Sequence, residues 1–293
     1  MKKMTITFTL ILHAICFLGP LDAHASSKGV LAKSSISRIE SVDAVAMAAQ
    51  ELRQKKLDYG IQSIEAVDAM ADLAQVYEDA GRNSQAELFY ARSLLMYQKI
   101  YGHSDVRTAR IMYRVASSYL HMGTPQEALK LYRRSLVITE AEYGPTDIRV
   151  TASLGGLAET YKALGMYTES LEAFQRVLDL LDIKNADYRA GVISSYTHIA
   201  DIYLKQGEFE KSELTHYSLI HTLELEFGKQ HWQIAPLFNN LGNLYKQWKK
   251  ADQAVVAYEE SLNILLKHFS PDHPEVQLVM TNLDQLFVAK ESF

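Results

Sequence analysis

The chain has little of several residue types, and each shortage excludes a class of protein. Only one cysteine, Cys16, occurs in 293 residues, so the chain beyond it has no disulfide, thiol nucleophile or cysteine-ligated metal site. The six prolines mostly avoid stretches with a helical pattern, as an all-helical fold requires. The formal net charge is −5, and no basic run is interleaved with aromatic residues, which argues against nucleic-acid binding.

The first 25 residues differ from the rest of the chain. Two lysines precede a mostly apolar stretch at 4–18, and Ala23-His24-Ala25 has the small-x-small pattern of a cleavage site. The apolar stretch is shorter than the about 20 residues that span a membrane. The sequence predicts a secretory signal peptide at 1–25, cut after Ala25, with retention as an N-terminal anchor as the alternative. Such a leader suggests a bacterial protein of the periplasm or a secreted one, with no stable transmembrane span after cleavage.

An aromatic residue recurs every 42 residues through most of the chain. These signature positions are Tyr77, Tyr119, Tyr161, Tyr203, Tyr245 and Phe287. An aliphatic residue stands four residues before each of them. A small residue stands three residues before each of the first five. Glycine stands four residues after each of the first four signature positions. A second small residue lies nine residues after each of the first five signature positions. Thirteen residues after each of them stands a ring: Tyr90, Tyr132, Phe174, His216 or Tyr258.

These offsets define a repeated helical unit. Spacings of three, four and seven put residues on one helix face, and glycine is typical of the left-handed residue that ends a helix. Each unit is therefore predicted to be an antiparallel helix pair that buries its apolar stripe only by stacking on its neighbours. Lys249 replaces this glycine in the fifth unit, and Ala186 replaces the junction glycine after the third.

Helix starts are predicted from capping residues. Thr124-Pro125-Gln126-Glu127 has the pattern of an N-cap followed by proline and a capping-box glutamate. At the junctions between units, capping oxygens are expected from Asp105, Asp147 and Asp272.

The pattern predicts the division of the chain. After the signal peptide we expect a flexible segment at 26–37 and a partial repeat at 38–66. Five repeats should follow at 67–275, and a C-terminal capping helix and tail at 276–293. The five repeats are expected at about 67–108, 109–150, 151–192, 193–234 and 235–275.

The small residue, tyrosine, glycine, small residue and ring at these offsets resemble the tetratricopeptide repeat. The 42-residue period and the junction Pro271-Asp272-His273-Pro274 are similar to its kinesin-light-chain-type form. The resemblance covers roughly residues 61–290. It implies an all-α, right-handed α-solenoid, a tetratricopeptide-like superhelix whose first helices line a concave groove.

Inner-wall positions are the places that the resemblance assigns to this groove, six and two residues before the signature position and one after it. They vary between repeats, which fits selection for a ligand but equally fits unconstrained solvent exposure. The candidate peptide- or protein-binding residues are Gln75, Glu78, Tyr113, Ser117, Glu159, Lys162, Thr197, Asp201, Asn239, Asn240, Asn243 and Lys246. Asparagine side chains can hold an extended peptide by its backbone, since each amide both donates and accepts. The pair Asn239-Asn240 resembles the asparagine pair with which kinesin-light-chain-type repeats contact peptide cargo.

No residues form a convincing catalytic, cofactor or metal site. His216 and His221 are five residues apart and do not share a helix face as a metal-binding pair would. A turn explains His268, Asp272 and His273 better than a metal does, and His198 with Asp201 is better explained as a surface pair than as a catalytic dyad. We therefore predict no enzyme and no cofactor.

The sequence favours a non-enzymatic binding scaffold outside the cytoplasm, which holds a protein or peptide partner in its groove. The alternative is a structural subunit of an envelope assembly or a homo-oligomer, docked through its outer face or its C-terminal end. The partner's identity and the oligomeric state are not determined by the sequence.

Overall fold

The structure is a computed structural model that describes the backbone of residues 27–291 and the side chains of residues 43–287. The signal peptide predicted at 1–25 lies outside the described residues. The described chain divides into two compact units, an N-terminal unit ending at Leu180 and a C-terminal unit beginning at Leu181. Neither unit contains a strand within the described residues.

The N-terminal unit consists of seven α-helices and one short 3-10 helix among its described residues. They are α1 (Ser27–Tyr59), α2 (Ile64–Asp79), α3 (Asn83–Tyr101), α4 (Val106–His121), α5 (Pro125–Tyr143), the 3-10 helix Ile148–Val150, α6 (Thr151–Ala163) and α7 (Tyr167–Leu180). Consecutive helices pack in the pairs α2–α3, α4–α5 and α6–α7, and α1 packs on α2.

The C-terminal unit has the same organisation. Its described elements are α8 (Arg189–Lys205), α9 (Phe209–Phe227), the 3-10 helix Trp232–Ile234, α10 (Ala235–Gln247), α11 (Ala251–Leu265) and α12 (Pro274–Glu291). Helices α8–α9 and α10–α11 form pairs, and α12 packs on α11 without a second helix of its own within the described chain. The predicted all-α solenoid of tandem antiparallel helix pairs is thereby confirmed.

Two boundaries differ from those predicted. The first helix pair begins at Ile64, slightly before the repeat boundary expected at 67. Helix α1 begins at Ser27, so the backbone is already helical over most of 26–37, where we predicted a flexible segment. This stretch contains one glycine, Gly29, and no proline, so nothing in it breaks a helix.

The residues at the repeated offsets form the core, as the periodic pattern predicts. Tyr90 and Tyr258 are almost fully buried, and the small residues that follow the signature positions let the two helices of a pair approach closely. The Ser170 hydroxyl donates to the Ala158 carbonyl at 2.7 Å, and the Ser212 hydroxyl donates to the Ala200 carbonyl at 2.9 Å. Each small hydroxyl residue thus joins the second helix of its pair to the first.

Phe287 departs from the signature series. Its side chain is 44% exposed, whereas Tyr245 at the equivalent position of α10 is buried. Tyr245 bonds to Glu213 and Tyr217 of α9 and stacks on Trp248, while no helix follows α12 within the described residues.

Five first helices end in the same geometry. The carbonyl of each signature tyrosine accepts a bond from the amide five residues later, as in a Schellman motif. The residue four positions after each signature tyrosine has a left-handed backbone. In four repeats it is a glycine with φ between 70° and 77°, and in the fifth it is Lys249 with a φ of 60°. Glycine adopts this left-handed backbone without cost, whereas lysine does not.

The capping predictions were partly wrong. Asp105 and Asp147 accept bonds from the amides of Arg107 and Arg149, as expected. The Thr124 side chain does not cap α5, because its hydroxyl donates to the Tyr119 carbonyl at 2.8 Å. At the last junction the acceptor is not Asp272.

His273 takes that role instead. Its Nδ1 accepts a bond from the amide of Glu275 at 3.3 Å. Because α12 begins at Pro274, His273 stands directly before the first helical residue, where a capping acceptor is expected, and Asp272 lies one position too early.

Candidate functional site

The twelve candidate residues all lie on the first helices of their pairs, eleven of them at inner-wall positions and Asn240 one residue after such a position. Helices α2, α4 and α6 carry six of them in the N-terminal unit, and α8 and α10 carry the other six in the C-terminal unit. Asp201 and Asn239 are buried, and the other ten are partly buried. We describe the contacts of these residues in each unit in turn.

Polar bonds connect neighbouring first helices in the N-terminal unit. The guanidinium of Arg114 on α4 donates to Asp72 at 2.9 Å and to the Ala71 carbonyl at 3.0 Å, both on α2. His121 lies 2.8 Å from the carboxylate of Glu78, from its Nδ1 to Oε1. This hydrogen bond raises the pKa of His121 above its ordinary value. Two of the acids on the α2 wall are therefore already paired with basic groups of the next repeat.

Other inner-wall residues are hydrogen-bonded to core tyrosines. The Tyr90 hydroxyl donates to Gln75 at 2.8 Å, and Ser117 is hydrogen-bonded to Tyr132. Burial is the main reason why the pKa of both phenols lies well above its ordinary value. Both phenols therefore remain protonated donors, and the two inner-wall residues stabilise the helix pairs besides facing the groove.

Three residues complete the wall of the N-terminal unit. The ring of Tyr113 packs edge-on against Tyr132, with ring centroids 5.6 Å apart. Its pKa is raised first by burial and then by the negative charge of Glu159 on the next first helix. Lys162, also on α6, is partly buried. This stretch of wall therefore combines an aromatic ring with one acidic and one basic side chain.

On α10, two of the four predicted residues have structural roles. Asn239 is buried, and its Oδ1 accepts a bond from Asn282 of α12 at 2.8 Å. Asn243 accepts a bond from the hydroxyl of Tyr258 at 2.7 Å. Burial raises the pKa of Tyr258 to about 12, so this hydroxyl stays a donor. Both asparagines are therefore committed to packing within the unit.

The other two residues of α10 are more accessible. Asn240 is partly exposed, and its side chain forms no hydrogen bond with another described residue. Lys246 donates to Gln285 of α12 at 3.2 Å, a contact between exposed groups. Water and a ligand can compete easily for such a bond. Asn240 and Lys246 are thus the residues of α10 with polar groups available to a ligand.

On α8, both predicted residues interact with their own helix. The hydroxyl of Thr197 donates to the Ile193 carbonyl at 2.8 Å. The buried carboxylate of Asp201 lies 3.3 Å from the ammonium of Lys205, one turn later. Neither contact fixes the helix to a neighbour.

Sequence reasoning missed the partners of these residues. Arg114, His121, Asn282 and Gln285 were not singled out, although each bonds to an inner-wall residue or its neighbour of the adjacent repeat. A usable signal existed, because three of these pairs stand 42 or 43 residues apart. A search for complementary polar residues at one repeat period would have found them.

The histidines do not assemble into a metal site in the part of the chain that the structure describes. His216 is buried, and its Nδ1 lies 2.8 Å from the Ser212 carbonyl. Burial lowers the pKa of His216, so it is neutral and fills the ring position of its repeat. His221 is exposed on the same helix.

The geometry defines the class of this protein as an all-α array of repeated helix pairs. Two sequence profiles described as tetratricopeptide repeat match residues 67–106, 107–183 and 237–275, more than half of the chain. The chain belongs to the tetratricopeptide repeat family, and the predicted resemblance is confirmed. No curated protein matches it by sequence.

Solved structures have the same fold. The nearly identical TPR-like repeats of a protein described as a kinesin light chain, from Podosopora anserina, cover 69% of this chain and 95% of their own, with 18% identity and a TM-score of 0.60. BtubC (BKLC) from P. vanneervenii covers 80% of this chain and 94% of its own, with 21% identity and a TM-score of 0.58. The quorum sensor NprR from B. thuringiensis, in its apo form, covers 84% of this chain and 68% of its own, with 13% identity and a TM-score of 0.59.

Proposed function

We propose that this protein is a non-enzymatic scaffold outside the cytoplasm, and that its inner wall holds an extended segment of a protein or peptide. The repeat fold is typically a non-catalytic scaffold, which supports the first part. One protein of similar fold, NprR, is a quorum sensor, and we carry the general role of recognition over to this chain. The proposed location depends on the leader pattern of residues 1–25.

One observation carries the proposal for the ligand. On α10 of the C-terminal unit, Asn240 offers an amide without a described partner, one turn from Asn243 and six residues before Lys246. A side-chain amide can donate to a backbone carbonyl and accept from a backbone N–H at once. The ammonium group of Lys246, on the same helix, favours a carboxylate on the ligand. We therefore infer an extended peptide with an acidic group as the ligand of the C-terminal unit.

The test uses site-specific photo-crosslinking in the full chain. A photoreactive amino acid in place of Asn240 should capture one defined partner, and the same group in place of Asn263 on the exposed side of α11 serves as the control. The captured segment is then synthesised, and its affinity is measured by calorimetry. We expect Asn240→Ala with Lys246→Ala to weaken binding about thirtyfold, since each lost hydrogen bond costs about 1 kcal/mol and two are lost.

The control for affinity is the pair Asn263→Ala and Lys229→Ala, which removes the same groups from exposed positions outside the wall. This pair should leave the dissociation constant unchanged. Equal weakening by both pairs, or crosslinking at residue 263 but not at residue 240, would count against binding at this wall. N-terminal sequencing of the exported protein should find Ser26 first, and an intact leader in the mature protein contradicts cleavage.

A second candidate function is a homo-oligomer that docks through α12. Leu283 and Phe287 occupy the positions at which Leu241 and Tyr245 are buried in the preceding repeat, yet Phe287 is 44% exposed. Light scattering should show a dimer for the full chain, and Phe287→Ser should convert it to a monomer. A monomeric wild-type chain at high protein concentration excludes this candidate.

A further inference from the structure

One position of the repeat, at the start of each first helix, supplies a side-chain cap in five of its six occurrences. It directly precedes the helix in those five, and Arg189, the exception, is the first residue of α8. With the 42-residue period, the position is Ser63, Asp105, Asp147, Arg189, His231 and His273. The aspartates lie in the N-terminal unit and the histidines in the C-terminal unit.

The two aspartate caps are alike in detail. Asp105 accepts a bond from the amide of Arg107 at 2.8 Å, and Asp147 from that of Arg149 at 2.9 Å. Each arginine also donates through its guanidinium to the same carboxylate. These hydrogen bonds lower the pKa of both carboxyl groups to about 2. The caps of the N-terminal unit are therefore anions at every pH at which proteins usually work.

The two histidine caps use the same geometry with a different acceptor. Nδ1 of His231 accepts a bond from the amide of Gln233 at 3.4 Å, and Nδ1 of His273 from that of Glu275 at 3.3 Å. In each case the amide two residues later is the donor, as it is for the aspartates. The acceptors are thus equivalent in position but are neutral nitrogen atoms.

Ring stacking fixes both imidazoles in place. The ring of His231 stacks on Phe227 with centroids 4.6 Å apart, and that of His273 stacks on Phe269 at 4.1 Å. Trp232 lies between the two stacks, 5.8 Å from the His231 ring and 6.1 Å from the Phe269 ring. The two junctions therefore form one cluster of aromatic rings within the C-terminal unit.

The charges around this cluster oppose a further positive charge at His231. Arg189 of α8 lies over the ring of Phe227 at 4.3 Å, and its guanidinium is 3.2 Å from Glu226 of α9. His268, after α11, lies with Nε2 2.8 Å from the Gln230 carbonyl. Burial, followed by the charges of His268 and Arg189, lowers the pKa of His231.

Around His273 the charged and titratable neighbours are of both signs. Asp272 precedes it and Glu275 follows it in the chain, and His268 packs against the same ring of Phe269, with centroids 6.4 Å apart. Lys267 precedes His268 in the chain. Its Nζ lies 2.6 Å from Oε1 of Gln230, the residue before His231.

Protonation must break both caps. An imidazole accepts a bond at Nδ1 only while that nitrogen carries no proton, and in the imidazolium both nitrogens are donors. The proton also adds a positive charge beside the positive end of the helix dipole, where anions are favoured. An aspartate at the same position has neither problem.

We propose that the histidine caps make the C-terminal unit acid-sensitive, so that mild acidification frees the starts of α10 and α12 while the aspartate-capped helices of the N-terminal unit keep theirs. The direction follows from linkage. His231 has a lowered pKa in the folded protein, so its cap contributes stability that is complete above the ordinary histidine value of about 6.5 and is lost as the pH falls below it. The change is therefore expected between pH 7.5 and pH 5.

Hydrogen exchange on the full-length chain tests this proposal region by region. Protection factors, corrected for intrinsic exchange, are compared at pH 7.5 and pH 5.0. We expect about a fivefold loss of protection for residues 230–240 and 272–282, the effect of losing a typical cap. Residues 104–115 and 146–157, which begin with the aspartate caps, should change little.

The decisive variant is His231→Asp with His273→Asp, which copies the acceptor that the chain already uses at Asp105 and Asp147. It should keep its protection at pH 5.0, whereas His221→Gln, a control that removes an exposed histidine outside the cluster, should lose protection as the wild type does. Circular dichroism at pH 7.5 establishes that the variants fold. If the double variant has lost helix content, His273→Asp alone is compared over residues 272–282.

Two results would overturn the proposal. One is an equal loss of protection in the aspartate-capped and histidine-capped regions of the wild type. The other is a folded aspartate variant that still loses protection at pH 5.0 as much as the wild type.

Discussion

Replacing Lys249 by glycine should stabilise the protein. Lys249 is the residue at which α10 ends, and its φ of 60° lies in the left-handed region. The surrounding geometry equals that of the four glycine-containing repeats, since the amide of Lys250 bonds to the Tyr245 carbonyl at 2.9 Å. The backbone therefore needs no rearrangement to accept glycine, and the exposed lysine side chain has little packing to lose.

The magnitude follows from two opposing effects. A left-handed backbone costs a residue with a Cβ about 1–2 kcal/mol. Glycine removes that cost, but it loses about 0.5–1 kcal/mol through the greater freedom of the unfolded chain. The net expected gain for Lys249→Gly is about 0.5–1 kcal/mol, or a rise in Tm of about 2 °C for a chain of this size.

Calorimetry of three variants separates strain from other effects of the lysine. Lys249→Gly should raise Tm, and Lys249→Ala should not, because alanine keeps the Cβ that causes the strain. The reverse change, Gly207→Lys, should lower Tm by about the same amount, since Gly207 has a φ of 76° at the equivalent position. If Lys249→Ala raises Tm as much as Lys249→Gly, charge or hydration is responsible and the argument from backbone strain is wrong.

Two further predictions concern single contacts. Glu78→Gln should lower the pKa of His121 towards its ordinary value, because the hydrogen bond that the Glu78 carboxylate accepts from His121 is the main reason for its rise; an NMR titration that leaves this pKa unchanged contradicts the contact. Gly242→Ala should cost about 1–3 kcal/mol, since a Cβ there would lie 2.5 Å from the ring of Tyr258. Gly155→Ala, whose Cβ would meet nothing within 4 Å, should instead be neutral or gain up to about 1 kcal/mol in thermal unfolding.

The sequence was sufficient to predict the fold because each repeat has the same local requirements. A ring such as that of Tyr90 needs a small residue opposite it. The turn that follows α2 needs a left-handed backbone at Gly81. Such requirements recur at fixed spacing, so they are visible in one sequence. At Lys249 the same left-handed turn forms without glycine. The repeat register therefore outweighs the preference of this backbone conformation for glycine.

The inner wall was predicted less completely, because its residues serve two purposes. The resemblance places Asn239, Asn240 and Asn243 on one wall, and all three lie on α10. Spacing alone does not reveal that Asn239 is bonded to Asn282 and Asn243 to Tyr258. These bonds depend on which side chain stands one repeat period or one helix away, and the packing positions of the repeat do not specify that side chain.

None of the helices in the described part of the chain combines the length and the apolar content needed to cross a membrane. This finding concerns residues after the leader alone. The proposed export therefore depends on residues 1–25 and on the sequencing of the mature N-terminus.

Acid should act in opposite directions on the two units. In the N-terminal unit the pKa of His121 is raised, so its bond to Glu78 contributes fully below pH 6.5 and is lost as the pH rises through that raised pKa. In the C-terminal unit the pKa of His231 is lowered, so its cap is complete above pH 6.5 and is lost on acidification. A global measurement such as Tm sums these effects and would show little change with pH. A method that resolves single helices is needed, because it should record the start of α10 loosening while the α2–α4 contact becomes stronger.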